Sequence, residues 1–151
     1  MDHYPKPERA AFPAFQRIPT RWNDNDVYGH MNNVVYYEYF DTAVNRWLIG
    51  SGALDVPAGP FLGLVAETRC RFLAGVGFPD ILEIGLSALR VGTSSVTYGL
   101  GLFREGEPTP AAVCRYVHVY VAAETRRPIP IPESLREALA ALAPPEAADS
   151  A

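Results

Sequence analysis

Two cysteines, three histidines, two methionines and two tryptophans are all that 151 residues contain of these types, and the scarcity closes off several kinds of chemistry. Cys70 and Cys114 have 43 residues between them, with no C-x-x-C and no nearby histidine pair. Neither a zinc site nor a redox motif is written in that spacing, and both thiols are expected to be buried. No metal or separate cofactor is expected. Long hydrophobic runs are missing too. The longest stretch free of Asp, Glu, Lys and Arg is residues 91–103, broken by Thr, Ser and Gly, well short of the ~20 apolar residues of a membrane span. The first ten residues hold charges and prolines where a signal peptide has its apolar segment. A cytoplasmic location without membrane insertion is therefore expected. Positive charge is in deficit, with 13 Lys and Arg against 17 Asp and Glu for a net charge of −4, and no basic run is massed. That balance disfavours nucleic acid as a partner. Internal repeats, low-complexity tracts and a G-x-S-x-G nucleophile motif are absent.

What is present fits one globular domain. Hydrophobic residues make up 48% and charged residues 20% of the chain, enough to bury a sizeable core at this length. Residues 1–11 and 144–151 are poor in large apolar side chains and read as a disordered head and tail around a single domain over residues 12–143. Residues 15–22 suggest a strand, and Pro19, having no N–H to donate, places it at an edge or a bulge. Residues 23–33, NDNDVYGHMNN, are dense in turn and cap formers. Asn32 or Asn33 can cap a helix over residues 34–48, where Tyr36, Phe40, Ala43, Val44, Trp47 and Leu48 recur every three or four positions. Gly50 and Gly52 end it. Four segments then alternate with the period of strands, at residues 62–72, 81–89, 94–104 and 112–123. The intervening AGVGFPD, RVGT and EGEPTP read as hairpin turns between sequential strands. Residues 133–143 form a closing amphipathic helix. The order implies an α+β domain in which a long helix covers one face of an antiparallel sheet. The other face is expected to be buried in a homodimer or homotetramer.

Chemistry concentrates in residues 21–36. Asp26 supplies a carboxylate close to the start of the long helix. There, unpaired N–H groups and roughly half a positive elementary charge favour an anion or a developing oxyanion. Gly29 permits close approach of a substrate to the backbone. Such a set can serve acyl transfer. The ordinary alternative is that Asp24, Asp26, Asn32 and Asn33 only shape turns and cap the helix.

The pattern Arg21-Trp22-x-Asp24-x-Asp26-x-x-Gly29-His30-x-Asn32-Asn33-x-x-Tyr36 closely resembles the active-site signature of the hotdog-fold acyl-CoA thioesterases, the family typified by 4-hydroxybenzoyl-CoA thioesterase. The likeness continues through Phe40, Gly92-Thr93-Ser94-Ser95 and the run Thr125-Arg126-Arg127-Pro128. It implies a hotdog fold and hydrolysis of an acyl-CoA thioester. It makes Asp26 the nucleophile or general base, Asp24 a supporting turn residue, and the backbone around Asn33 the carbonyl-polarising group. It also implies paired protomers with the acyl group at their interface and coenzyme A, part of the substrate rather than a cofactor, lying across the surface.

His30, beside Gly29, is a further catalytic candidate, and Tyr28 and Tyr36 of the same segment are assigned to substrate binding. Glu67 is a possible acid from a second element, although a lone strand glutamate is more often an edge residue. Arg90, Arg126 and Arg127 suit phosphate recognition, and Thr93, Ser94 and Ser95 offer hydroxyls and amides to the pantetheine or diphosphate. His118 reads as a sheet histidine bonded locally. The competing function is a non-catalytic module binding an acyl group or other small ligand in the same groove, which would have no need of a carboxylate beside a helix N-terminus.

Overall fold

A computed structural model describes residues 6–55 and 58–145. Five antiparallel strands form one sheet: β1 (Ala14–Pro19), β2 (Phe61–Phe72), β3 (Ile81–Val91), β4 (Ser95–Arg104) and β5 (Ala112–Ala122). The long helix α1 (Asn33–Gly50) lies on one face, and the short helix α2 (Glu133–Ala140) follows the sheet. This is the α+β hotdog arrangement. β1 ends at Pro19 rather than continuing to residue 22, because Trp22–Asp24 turns into a short 3-10 helix. β1 is an edge strand, which suits a proline that cannot donate.

Tyr36, Tyr39, Phe40, Ala43, Val44 and Leu48 form the buried stripe of α1. It packs on Leu82, Ile84 and Leu86 of β3 and Val96, Tyr98 and Leu100 of β4, so the core lies between the helix and the middle of the sheet.

The spatial order β1-β3-β4-β5-β2 departs from expectation at one connection. β3–β4 and β4–β5 are hairpin neighbours, whereas β2 pairs with β5, in register from Phe61↔Ala122 to Phe72↔Ala112 with a bulge between Val65 and Glu67. AGVGFPD is therefore not a hairpin turn. It carries the chain from one edge of the sheet back to β3, passing the start of α1, where Val76 O accepts from Met31 N at 2.8 Å. Its glycines fit that passage. A Cβ on Gly75 would stand 2.5 Å from the His30 ring, and one on Gly77 would stand 2.8 Å from Asn25 Oδ1.

The sheet face opposite α1 is partly covered by this chain itself. Phe12 packs edge-on against Phe103 and Phe15, filling space that a side chain at Gly85 or Gly101 would occupy. The expected disordered head reached residue 11. Of it, residues 1–5 lie outside the described residues, while Arg9–Ala11 makes a 3-10 turn and Arg9 binds Glu83 at 2.9 Å and lies over the Phe103 ring. Of the expected tail, residues 146–151 lie outside the described residues.

Candidate active site

Asp24 and Asp26 stand two positions apart and do different work. The Asp24 side chain is buried and takes hydrogen bonds from Arg21 N at 2.8 Å, the Arg21 guanidinium at 2.8 and 3.0 Å, and the Tyr39 hydroxyl. Burial pushes its carboxyl up, but the donations from Tyr39 and Arg21 outweigh that and hold it below the usual carboxylate range. Tyr39, desolvated and facing this anion, is pushed up to about 12. Asp24 O also accepts from Asn32 N at 2.9 Å. The residue thus pins the loop to the start of the helix.

Asp26 has no such clamp. Its Oδ1 accepts only the backbone N–H of Tyr28 at 2.8 Å, and its Oδ2 has no partner among the described residues. The loop around it closes on itself: Asp26 N donates to His30 O at 3.0 Å, and Gly29 N to Asp26 O at 3.2 Å. Gly29 adopts a left-handed φ of 86°, and open space lies where its Cβ would be. Glycine is required by the backbone angle, and the space in front of the loop stays clear. Trp22, Asn23, Asn25, Asp26 and Gly29 line a depression of about 310 Å³.

Two hydrogen bonds of Asn32 fix the helix start beside this loop. Asn32 caps α1 through Oδ1, which accepts from Val34 N at 3.0 Å, and Asn32 O accepts from Val35 N at 2.9 Å. The Asn33 N–H has no hydrogen-bond partner among the described residues. It is a free donor at the positive end of an 18-residue helix. An unshared carboxylate oxygen and an unpaired helix-terminal N–H thus belong to one short stretch of backbone.

The rim is apolar and unusually exposed. Val27 is 94%, Tyr28 84%, Trp22 80% and Val34 62% exposed, and the Phe78 ring lies 5.8 Å from that of Trp22. Tyr36, expected to bind substrate, is instead buried in the core with its ring 5.0 Å from that of Phe72 and does not line the depression. His30 is exposed and rests against Gly75.

The remaining candidates do not converge on Asp26 within one chain. Glu67 is exposed at the β2 bulge. Arg90, Thr93, Ser94 and Ser95 lie where β3 turns into β4, at the end of the sheet opposite the Asp26 loop, about 30 Å away by the length of a ten-residue strand. That turn is tied to the C-terminal segment: Thr93 O accepts from Ile131 N at 2.8 Å, and Ser94 O from Tyr120 N at 2.8 Å. A larger apolar groove of about 330 Å³ lies elsewhere, between Pro7, Phe12, Leu89 and Pro144, and no acid or histidine lines it.

Sequence reasoning missed one polar array. Asp41, on α1, accepts from the Tyr116 hydroxyl, which in turn contacts His118 Nε2 at 3.1 Å. His118 is 2% exposed, its Nδ1 has no partner, and burial lowers its pKa to about 4. Tyr116 and His118 share a face by strand alternation, which is legible. Their meeting with Asp41 depends on where the helix lies, which is not.

The sequence profile of the Thioesterase-like superfamily matches residues 20–139. The PA5185 protein of Pseudomonas aeruginosa strain PAO1 is 51% identical, and the match covers 93% of this chain and 98% of that one with a TM-score of 0.90. The uncharacterized protein YsmA of Bacillus subtilis (strain 168) is 30% identical over 101 residues, 66% of this chain and 68% of its own length. A thioesterase from Thermus thermophilus, solved in complex with coenzyme A and zinc, is 28% identical, with 87% of this chain and 95% of that one covered and a TM-score of 0.71.

Proposed function

The chain belongs to the thioesterase-like superfamily, and from that premise we propose that it is an acyl-CoA thioesterase, releasing a free acid and coenzyme A in the cytoplasm. The observation that carries this reading is that the unshared Asp26 oxygen and the unpaired Asn33 N–H belong to one loop and helix start. The N–H and the helix dipole stabilise the negative charge that builds on the thioester oxygen as the carbonyl is attacked. Asp26 either attacks the carbonyl carbon to form a mixed anhydride or takes a proton from the attacking water. Gly29 leaves room for the carbonyl, His30 flanks it, and Tyr28 with Val27 and Trp22 offers an apolar surface to the acyl group. The coenzyme A bound by the Thermus thermophilus relative supports a CoA ester as substrate.

We further propose that the working unit is a homodimer or homotetramer. β2 has a partner on one side only, and Leu64, Val65 and Phe72 along it are exposed. A two-fold axis across that free edge joins two sheets antiparallel, which sets Arg90 and the Thr93, Ser94 and Ser95 turn of a second copy at the same end as Asp26. The candidates that one chain holds apart then serve one groove, with Arg90 available to the phosphates of coenzyme A.

A panel of acyl-CoA esters assayed by released thiol tests the activity. Turnover of at least one ester is expected, and an inert panel with retained ligand binding would favour the binding-module alternative. Light scattering at micromolar concentration tests the assembly. A mass of at least twice the 16.5 kDa chain is expected, and a monomer would remove the second wall of the groove.

A further inference from the structure

The two cysteines, with 43 residues between them in sequence, are register partners in the sheet: Cys70 of β2 sits directly opposite Cys114 of β5. We propose that they form a peroxide-reactive dithiol, an oxidation site that closes into a reversible disulfide across the two strands.

Geometry favours the bond. Directly opposed residues of an antiparallel pair have Cα atoms about 4.5–5.5 Å apart, inside the ~4.4–6.8 Å span that a disulfide tolerates. Their Cβ atoms, at about 4.5–5.5 Å, must close by up to an ångström or so. Rotation of the two side chains about χ1 and a small shift of β2 along its pairing with β5 supply that approach. Access is asymmetric in the way such a reaction needs: Cys70 is half-buried and reachable, while Cys114 is 3% exposed. The thiols face each other, and hydrogen bonding from Cys114 holds Cys70 below the ordinary thiol range, while that contact and burial push Cys114 up. Cys70 is accordingly the attacking sulfur and Cys114 the resolving one.

The steps balance. The Cys70 thiolate attacks one oxygen of hydrogen peroxide, the O–O bond breaks, and the departing hydroxide takes up the proton the thiol had released, giving water and a sulfenic acid on Cys70. The Cys114 sulfur attacks the Cys70 sulfur, the S–O bond breaks, and a second water departs with the Cys114 proton. Two thiols lose two electrons, and one peroxide becomes two waters. Dithiothreitol reverses the bond by thiol exchange. Phe72, two residues from Cys70 on the same face of β2, packs on Tyr36 of α1, so the disulfide would form close to the start of the long helix. The proposal itself does not depend on the catalytic reading.

Peroxide treatment of the folded full-length protein, followed by non-reducing peptide mass analysis, tests it. Titratable thiols are expected to fall from two to none, with one intrachain Cys70–Cys114 peptide that dithiothreitol splits. The folded chain is expected to close the bond at least about tenfold faster than the urea-unfolded chain, since the sheet supplies the proximity. Cys114→Ser is expected to stop at a Cys70 sulfenic acid that dimedone traps, and Cys70→Ser to leave Cys114 unreacted. A wild-type reaction that ends at Cys70 sulfinic acid with Cys114 still a thiol, a cross-link joining two chains, or closure no faster in the folded protein would overturn the proposal.

Discussion

β3 and β2 are strands of similar length, 11 and 12 residues, and both read as apolar alternation. β3 has a neighbour on each side and α1 above it, and Leu82, Ile84 and Leu86 are completely buried. β2 has one neighbour and lies off the helix, so residues 64–69 are exposed on both faces. The same pattern thus produces a sealed half, which holds the fold together, and an open half, whose side chains face solvent. Apolar side chains on the sealed side contribute stability. Those on the open side are free for binding.

The largest effect that would test this division is on the sealed side. Phe40 is fully buried, and Phe40→Ala is expected to cost about 3–5 kcal/mol in urea unfolding through lost burial and the cavity left behind. A cost below about 1 kcal/mol would dissolve the contrast. Next comes the pH response of His118. Its folded pKa of about 4 lies below the ordinary value of 6.5, so the unfolded chain takes the proton first. Stability falls as pH drops through 6.5 and levels off below about 4, by up to about 3 kcal/mol. Unfolding curves for wild type and His118→Gln check this, since the variant should lose that slope.

In the candidate site, Asp26→Asn keeps the side-chain volume and removes the charge. A kcat loss of at least about a hundredfold, near 2.7 kcal/mol in the barrier, is expected with an almost unchanged melting temperature. Asp24→Asn should invert the ratio, because its carboxylate holds Arg21 and Tyr39: more stability lost, less turnover. The smallest effect is at Tyr28, 84% exposed. Tyr28→Ala is expected to shift folding by less than about 0.5 kcal/mol while raising KM about tenfold, the worth of a modest apolar contact.

Much of this was legible in the chain. The helix stripe, the four later strands and a cap at Asn32 or Asn33 follow from period and cap chemistry, and the Asp26 to Asn33 segment announced itself by composition and by its family likeness. Contacts between segments distant in sequence were not legible. The loop AGVGFPD has the composition of a hairpin turn, and only the pairing of β2 with β5 shows it to be a crossover. Cys70 and Cys114 carry no motif because their proximity is a matter of register. Arg90, by its suitability for phosphate, and the Thr93 turn, by family likeness, were assigned to the same site as Asp26, whereas sheet geometry sets them at the far end of the same protomer.

The return of β2 to β5 also bears on the order in which the sheet assembles. β3 and β4 meet across a turn of three residues between Val91 and Ser95, whereas β2 and β5 must enclose the 39 residues between Phe72 and Ala112. Chain entropy alone makes the second closure about 2 kcal/mol dearer than the first. It is recovered only once β3, β4 and β5 already stand as a meander against which β2 can dock. β2 is therefore expected to zip after that meander and to loosen before it, so this edge of the sheet can breathe without unravelling the central strands.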